Sequence, residues 1–250
     1  MTIGLISVII PVFNAESSIK ETLESVLKQS YLDWEIIIVD DCSTDNSMDV
    51  IRSAIKSMEK QTSIISLTEN NGVANARNVG LDNVNGEFVA FLDSDDIWST
   101  EKLEKQLRFM QNLRCDISYT AYKKIDENGV VKSMISVAEK VSYNDLLHEN
   151  VIPFSSSMLR RSKLLNHRFL KVGHEDFVFW LAALKHISMA YGLNEPLMYY
   201  RISANSISSD KFKAAKFTWN IYRKIEGFTV FKSAYYFVCY SFSGLRKYLK

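Results

Sequence analysis

Cysteine, proline and glycine are all scarce in this chain, which has 3 Cys, 3 Pro and 9 Gly among 250 residues. The cysteines, at positions Cys42, Cys115 and Cys239, are odd in number and widely separated. They show neither a disulfide framework nor the spacing of metal ligands, so the sequence indicates a reducing compartment. With so few Pro and Gly, and with no repeat or low-complexity linker, a long flexible hinge between domains is not expected.

The sequence also lacks an excess of charge and a run long enough to span a membrane. A formal net charge of +1 argues against the basic footprint of proteins that bind nucleic acid. The longest nearly uncharged stretch, Ser233–Leu245, is shorter than the roughly 20 residues that cross a bilayer. The first residues show no signal-peptide pattern. We therefore expect a cytoplasmic protein that is soluble or bound peripherally to the inner face of the cytoplasmic membrane.

Charge is nevertheless distributed unevenly along the chain. Residues 211–250 contain nine Lys or Arg, twelve aromatic residues and one acidic residue, Glu226. A basic, aromatic, amphipathic segment suits the headgroup region of an anionic membrane. The same pattern also suits helices that cover the core or form a homodimer contact, because Lys stems pack well on apolar surface. The sequence leaves these interpretations open.

Apolar runs and helical periodicity alternate through the first hundred residues. Leu5–Phe13, Trp34–Val39 and Glu87–Leu92 are almost continuously apolar, which is typical of strands buried on both faces. Between them, Glu16–Gln29 has its apolar residues at helical spacing. This alternation predicts an α/β fold with a Rossmann-like, mostly parallel central sheet flanked by helices, and with aromatic, basic helices at its C-terminal end.

Polar and acidic residues follow three of these predicted strands. In an open parallel sheet, ligands bind beyond the carboxyl ends of the strands. The three strand ends read Pro11-Val12-Phe13-Asn14, Asp40-Asp41 and Asp93-Ser94-Asp95-Asp96. Each alone is compatible with a turn or a helix cap. Together they indicate a binding site in which a cation or hydrogen-bond donors must offset the repulsion between carboxylates.

The motif Asp93-Ser94-Asp95-Asp96 is the most informative of the three. Mg²⁺ takes oxygen ligands, and it commonly combines one or two carboxylates with water and phosphate oxygens. An acidic cluster after a buried strand can therefore hold a diphosphate through a metal, which also stabilises charge on a departing phosphate. The alternative is a capping turn before a helix predicted at Thr100–Phe109.

Two further segments carry candidate functional groups. Asn70-Asn71-Gly72 precedes a helical segment that contains Arg77, and a helix N-terminus with an Arg suits a phosphate. A plain surface Arg fits the sequence equally well. His174-Glu175-Asp176 opens another helical segment, where acidic residues favour the helix macrodipole. A carboxylate there also suits a general base that deprotonates an acceptor hydroxyl.

Taken in order, these motifs resemble the family-2 inverting glycosyltransferases of the GT-A fold. The resemblance runs from about Ile6 to Ser208 and implies a GT-A domain over residues 1–210, with residues 211–250 as a C-terminal helical extension. The segments that carry it are Val8–Asn14, Ile38–Asp45, Asn71-Gly72, Ala76–Gly80, Phe91–Asp96, Glu175-Asp176 with Trp180, Tyr200-Arg201, and Asn205–Ser208.

The resemblance also implies a role for individual positions. Asp176 resembles the catalytic base of the family, with Glu175 beside it. The metal, Mn²⁺ or Mg²⁺, would be held by Asp95 with Asp93 and Asp96. The residues implied in the vicinity of the acceptor or of the donor sugar are His174, Trp180 and Arg201. The residues implied in binding of the donor nucleotide are Pro11, Phe13, Asn14, Glu16, Asp40, Asp41, Arg77, Asp93 and Ser94.

The reaction implied by the resemblance is a single in-line displacement that inverts the anomeric carbon of a nucleotide-sugar, most simply a UDP-sugar. A hexosyl or N-acetylhexosaminyl group would pass to a hydroxyl of a glycan or lipid-linked acceptor in the synthesis of a cell-surface polysaccharide such as O-antigen or capsule. One position departs from the family, because Cys42 stands where Gly is usual. If that position requires a positive φ, Cys costs about 1 kcal/mol there.

Two alternatives accompany this interpretation. A sugar nucleotidyltransferase shares the fold and the metal chemistry but needs a Gly-rich basic loop after the first strand, and residues 14–18 contain neither Gly nor a basic residue. The second alternative is a degenerate transferase that acts as a partner subunit. Retention of Asp41, Asp95 and Asp176 argues against it.

Overall fold

The structure is a computed structural model that describes residues 2–56, 61–164, 167–202 and 211–248. Its strands are β1 (Thr2–Val12), β2 (Trp34–Asp40), β3 (Thr62–Ser66), β4 (Gly86–Phe91), β5 (Ile97–Trp98), β6 (Ile117–Ile125), β7 (Val131–Ile135), β8 (Lys140–Val141), β9 (Met158–Arg160) and β10 (Ala190–Arg201). Its α-helices are α1 (Ile19–Leu27), α2 (Ser47–Ala54), α3 (Val73–Asp82), α4 (Lys102–Leu113), α5 (Tyr143–His148), α6 (Glu175–Leu184), α7 (Lys211–Asn220) and α8 (Val230–Tyr248).

A single sheet runs through the molecule in the order β3-β2-β1-β4-β9-β6-β10-β5, with β7 beside β6 and β8 beside β10. The first four strands in this order pair in parallel, and β6 pairs in parallel with β10. The short strand β9 is antiparallel to both of its neighbours and joins the two parallel parts. The predicted α/β fold with a mostly parallel sheet is confirmed.

The apolar runs of the central strands contribute side chains to two separate core layers, one on each face of the sheet. In β1, Val8 and Ile10 face the layer under α1, α2 and α4, whereas Ile9 faces the opposite layer under α3 and α6. All three side chains are fully buried. Because successive side chains of a strand point to opposite faces, a strand covered on both faces must be apolar throughout. This explains why these segments show no polar alternation.

The C-terminal helices α7 and α8 are packed on the same core by their inner face. Ile221 and Tyr222, directly after α7, and Tyr236 of α8 are buried in the layer that contains α6, and the Tyr222 hydroxyl donates to the Leu147 carbonyl at 2.7 Å. The outer face of α8 is exposed. No helix in the described part of the chain combines the length and apolar composition required to cross a membrane.

Helix boundaries differ from the predicted ones by a few residues. The helix predicted at Thr100–Phe109 is α4, which begins at Lys102 and extends to Leu113, where Arg114 adopts a left-handed conformation and ends it. The helical spacing within Glu16–Gln29 corresponds to α1, which spans Ile19–Leu27. The segment Asn205–Ser208 lies outside the described residues.

Candidate active site

An open cavity of about 1250 Å³ lies beyond the carboxyl ends of β1 and β4. Three groups of residues meet there: the strand ends, the N-terminal turn of α3 and the loop that leads into α6. The predicted site residues that line the cavity are Pro11, Phe13, Asp41, Arg77, Asp93, Ser94, Asp95, Asp96, His174, Glu175, Asp176 and Arg201. The fold therefore brings together motifs that are more than 160 residues apart in sequence.

Asn14 and Glu16 do not line this cavity. Both side chains connect the loop after β1 to the loop after β2: the Asn14 amide oxygen accepts from Thr44 N at 2.8 Å, and a Glu16 carboxylate oxygen accepts from Asn46 N at 2.9 Å. Asn14 itself has a φ of 48°. These residues fix the shape of the loop that follows β1 and begins at Phe13.

The paired aspartates at the end of β2 have different surroundings. Asp40 is buried, accepts from Ser43 N at 3.2 Å and does not line the cavity. Asp41 lines the cavity wall and accepts from Asn71 N at 3.0 Å and from Gly72 N at 2.7 Å. Of the two, Asp41 is therefore the one placed to contact a ligand, and it also orients the turn that begins α3.

Cys42 follows the paired aspartates with a φ of 63°. This conformation explains why glycine suits the position, since a side chain in the left-handed region costs about 1 kcal/mol or more. The Cys42 thiol lies 3.8 Å from the Thr68 carbonyl oxygen.

Arg77 is buried under the cavity, so its interpretation as a plain surface Arg is wrong. Its guanidinium donates to an Asp93 carboxylate oxygen at 2.7 Å and stacks 3.9 Å from the ring centroid of Phe154. A charge-assisted hydrogen bond of this kind fixes the carboxylate as well as the guanidinium. Arg77 therefore holds Asp93 in position at the floor of the cavity.

The acidic cluster after β4 carries more charge repulsion than its surroundings offset. Burial, and then the neighbouring Asp93, raise the pKa of Asp95 to about 6. Burial, and then Asp95 and Asp93, raise the pKa of Asp96 well above its usual range. Asp96 is held by hydrogen bonds with Ser155 and with Arg201 N, the latter at 3.1 Å. A cation beside Asp95 would relieve this repulsion.

The carboxylates at this site suit a divalent cation whose remaining coordination positions are filled by the phosphates of the substrate and by water. Within the residues described, no group of three or more His, Cys, Asp or Glu side chains is arranged to hold a metal unaided. One or two carboxylates, with phosphate oxygens and water as the remaining ligands, are what Mg²⁺ commonly accepts. Asp95 and Asp93 are both partly exposed and meet that requirement, whereas Asp96 is buried.

Arg201 connects the end of β10 to the acidic motif. Its guanidinium donates to the Asp95 carbonyl oxygen at 3.1 Å and to a Glu21 carboxylate oxygen at 2.5 Å. Arg201 lines the cavity, but these contacts make it a support for the acidic loop.

The two carboxylates at the start of α6 also differ in their contacts. Glu175 accepts from Gly173 N at 3.1 Å, within its own loop. Asp176 accepts from the Asn150 side-chain amide at 3.1 Å, and both of those residues line the cavity. The side-chain oxygen of Asn150 is buried without a partner among the described residues. Asp176 therefore has the fixed, cavity-facing carboxylate expected of a base.

Of His174 and Trp180, only His174 lines the cavity. His174 lines the cavity, with its Nε2 atom 3.3 Å from the Ala214 carbonyl oxygen. Trp180 is fully buried and packs against Phe91, Phe154 and Phe179. Its role is in the core beneath α6, and the structure does not bring it to the cavity.

The sequence did not reveal one wall of the cavity, formed by residues 149–155 and by α7. Ser155 accepts from Asp93 N at 3.1 Å, and Phe217 of α7 faces the His174 loop. Residues 149–155 have no periodic pattern, because they form a loop and a single 3₁₀ turn. The Pro at position 153 was the one visible signal, and it indicates a turn without a function.

An acidic cluster at the strand ends of an α/β sheet, with the separate carboxylate of Asp176 in the same cavity, suits an enzyme that acts on nucleotide-activated sugars, and comparison with known proteins identifies the class. Residues 7–183 match the sequence model of Glycosyl transferase family 2. The chain belongs to that family and is a glycosyltransferase with a GT-A-like fold.

Several relatives cover nearly the whole chain. It is 41% identical over 247 residues to the putative teichuronic acid biosynthesis glycosyltransferase TuaG of Bacillus subtilis, covering 98% of each chain. It is 38% identical over 221 residues to the UDP-Glc:alpha-D-GlcNAc-diphosphoundecaprenol beta-1,3-glucosyltransferase WfgD of Escherichia coli, covering 87% of this chain and 85% of that one.

Solved structures share the fold. The complex of S. aureus TarS 1–349 with UDP-GlcNAc superposes with a TM-score of 0.72 at 25% identity, over 86% of this chain and 65% of the other. This chain thus spans a little under two thirds of that structure. A mannosyltransferase from Pyrobaculum calidifontis, in complex with GDP-Man and Mn²⁺, superposes with a TM-score of 0.69 at 18% identity and supports the fold alone.

Proposed function

We propose that this glycosyltransferase moves a hexosyl or N-acetylhexosaminyl group from a UDP-sugar to a hydroxyl of a lipid-linked glycan, with inversion and with the help of Mn²⁺ or Mg²⁺. The observation that carries the proposal is the meeting in one cavity of the Asp93–Asp96 cluster and the separate carboxylate of Asp176. The first suits a metal-bound diphosphate, and the second suits a base for the acceptor.

The donor nucleotide is assigned to the part of the cavity lined by Pro11, Phe13 and Asp41. Phe13 is 48% exposed at the end of β1, where a flat apolar side chain suits the face of a nucleobase. Asp41 has a carboxylate that can also accept from a uracil N–H. Binding of UDP-GlcNAc by the structural relative TarS supports a uridine nucleotide.

The proposed chemistry is a single displacement at the anomeric carbon. A bound divalent ion would hold the diphosphate and stabilise the charge that develops on the departing UDP. Arg77 fixes Asp93, and Ser155 and Arg201 fix the loop around Asp95 and Asp96. Asp176, oriented by Asn150, takes the proton of the acceptor hydroxyl as its oxygen attacks. Attack from the side opposite the leaving group inverts the anomeric carbon.

The acceptor class is proposed from the relatives and from the surface of α8. WfgD is named for an acceptor carried on diphosphoundecaprenol, and TuaG for teichuronic acid biosynthesis, so we place this enzyme in cell-surface polysaccharide assembly. Such an acceptor lies at a membrane. The exposed apolar stripe of α8, which consists of Phe231, Tyr235, Val238 and Phe242, is suited to bring the enzyme there.

The helical extension that carries the stripe also has exposed basic residues, which suit an anionic membrane surface. Phe231 is 89% exposed and Phe242 is 65% exposed, and the four side chains repeat at the spacing of one helix face. Exposed Lys residues lie on the same helical extension, whereas its acid Glu226 is paired with Lys185 at 2.7 Å. We therefore propose an anionic membrane surface as the partner, with a homodimer contact as the competing outcome.

The experiment that tests the proposed function measures UDP release. The purified chain is incubated with a panel of UDP-sugars, Mn²⁺ and a short-chain GlcNAc-diphosphate-lipid acceptor, and the product is analysed for its anomeric configuration. We expect release from one donor, a β-linked product and complete loss of turnover in EDTA or in Asp95→Ala. Undiminished turnover in EDTA would contradict the metal role, and an α-linked product from an α-linked donor would contradict inversion.

The same assay separates the alternative functions. A sugar nucleotidyltransferase would consume UTP and a sugar phosphate, and membership of Glycosyl transferase family 2 already argues against it. A degenerate partner subunit would release no UDP with any donor, either with acceptor or without it.

A further inference from the structure

The helix α7 forms part of the cavity wall on the side of the proposed base. Ala214 and Phe217 line the cavity together with Gly173, His174 and Asp176. The donor-side residues of the same cavity come from β1, β2 and α3. The first helix of the C-terminal extension is thus part of the active-site wall, on the side where the acceptor must reach Asp176.

Phe217 is held in place by close contacts with the loop before α6. A Cβ atom added to Gly173 would lie 2.4 Å from two ring carbons of Phe217, so only glycine allows the ring to approach this closely. Gly173 also has a φ of 93°, which disfavours other residues. His174 meets the Phe217 ring edge to face, with ring centroids 5.9 Å apart. The ring therefore has a fixed position although it is only half-buried.

We infer that Phe217, supported by Gly173 and His174, is the platform on which the acceptor sugar ring rests. A pyranose presents C–H groups on one face and hydroxyls around its rim, so an aromatic face suits it while polar groups bind its edge. A platform in the same cavity wall region as Gly173, His174 and Asp176 would present an acceptor hydroxyl to that base. The inference rests on the proposed function and adds a residue and a helix to its acceptor site.

The test compares Phe217→Ala and Phe217→Leu with Phe217→Tyr. We expect the first two to raise the KM for the GlcNAc-diphosphate-lipid acceptor by roughly 3- to 10-fold, the size of a lost aromatic contact. Phe217→Tyr keeps the ring and should stay within about twofold of the wild type. The affinity for UDP, measured by calorimetry with Mn²⁺, should stay near that of the wild type in all three, because the proposed donor-nucleotide residues Pro11, Phe13 and Asp41 are unchanged.

The matched control is Phe212→Ala, since Phe212 lies on the same helix, is 92% exposed and does not line the cavity. An acceptor KM in Phe217→Ala and Phe217→Leu equal to that of Phe212→Ala would overturn the inference. Equal weakening of UDP binding and acceptor binding would also overturn it, because that pattern indicates a general structural effect. Absence of UDP release from the wild type with every donor would instead contradict the proposed function.

If circular dichroism shows that Phe217→Ala is poorly folded, the acceptor KM of Phe217→Leu is compared with that of Phe217→Tyr to test the platform. Leu keeps apolar bulk against Gly173 without an aromatic face. Equal acceptor KM values for Leu and Tyr would overturn the platform, whereas a higher value for Leu alone would support it.

Discussion

At the residue scale, the two neighbouring acids Glu175 and Asp176 are distinguished by their contacts. Glu175 is bound to Gly173 N in its own loop, whereas Asp176 reaches across to the Asn150 amide on the cavity wall. The resemblance implied Asp176 as the base, with Glu175 beside it. Both side chains line the cavity, and Asp176 is the one of the two that is bonded to the opposite wall, at Asn150.

We predict that Asp176→Asn lowers kcat by roughly 10²- to 10⁴-fold, because it keeps the shape of the side chain and removes the proton acceptor. The affinity for UDP, measured by calorimetry with Mn²⁺, should stay near that of the wild type. Glu175→Gln is the matched control and should retain most of the activity. If Glu175→Gln is the crippling substitution and Asp176→Asn is mild, the two roles are reversed.

At the element scale, α4 supports the acidic motif through the turn at Ser155 and Ser156. Lys102 is fully buried, donates to the Gln106 side-chain oxygen at 2.8 Å and lies 3.9 Å from the ring centroid of Trp98. Gln106 in turn donates to the Ser156 carbonyl, and the Trp98 indole donates to the Ser155 carbonyl. Gln106 of α4 and Trp98 of β5 thus fix the turn whose Ser155 hydroxyl accepts from Asp93 N.

Burial lowers the pKa of Lys102 well below its usual range, which makes stability depend on pH. The unfolded chain binds a proton at this lysine up to a pH of about 10.4, whereas the folded chain releases it at a lower pH. Stability due to Lys102 must therefore rise with pH until the unfolded lysine also loses its proton. We predict that the unfolding free energy of the wild type, minus that of Lys102→Met, increases between pH 7 and pH 10.

Urea denaturation at several pH values measures this difference. The matched control is Lys20→Met, since Lys20 is exposed and its substitution should change the unfolding free energy by no more than about 0.5 kcal/mol. A flat or falling difference for Lys102→Met would show that the buried lysine stays protonated in the folded state.

The elements also show what a sequence can and cannot predict. Strands β1, β2 and β4 and the motifs at their ends were predictable, because burial on both faces demands continuous apolar runs and binding groups follow where those runs end. Strand β9 has three residues, too few for a period to be visible. The wall at residues 149–155 and the position of Phe217 depend on contacts between distant segments, such as the bond from Asp93 N to Ser155, 62 residues away.

At the scale of the whole molecule, the C-terminal extension has one buried face and one exposed face. Its inner face is packed on the core through Ile221, Tyr222 and Tyr236. Its outer face presents the exposed stripe of α8. Deletion of residues 211–250 would therefore remove the stripe and also expose part of the buried core, so a truncated chain does not test membrane binding by itself. Substitutions confined to the stripe test membrane binding without exposing the core.

We predict that the chain sediments with vesicles of phosphatidylglycerol and phosphatidylethanolamine at low salt, and that Phe231→Ser with Phe242→Ser weakens this binding at least tenfold. Burial of a Phe side chain contributes about 1.5–3 kcal/mol, so the loss of two exceeds tenfold even if each is only half inserted. Binding should also fall as salt is raised, because each Lys or Arg near an anionic surface adds about 1 kcal/mol that salt screens.

The control for this pair is Leu32→Ser with Leu113→Ser, which removes two exposed apolar side chains outside the stripe. It should bind vesicles as the wild type does, and both double variants should keep the unfolding midpoint of the wild type because all four side chains are exposed. If the wild type stays in the supernatant at low salt, the membrane proposal is wrong. Light scattering would then decide whether the stripe is a dimer contact: a wild-type dimer that Phe231→Ser with Phe242→Ser converts to a monomer would assign the stripe to a second copy of the chain.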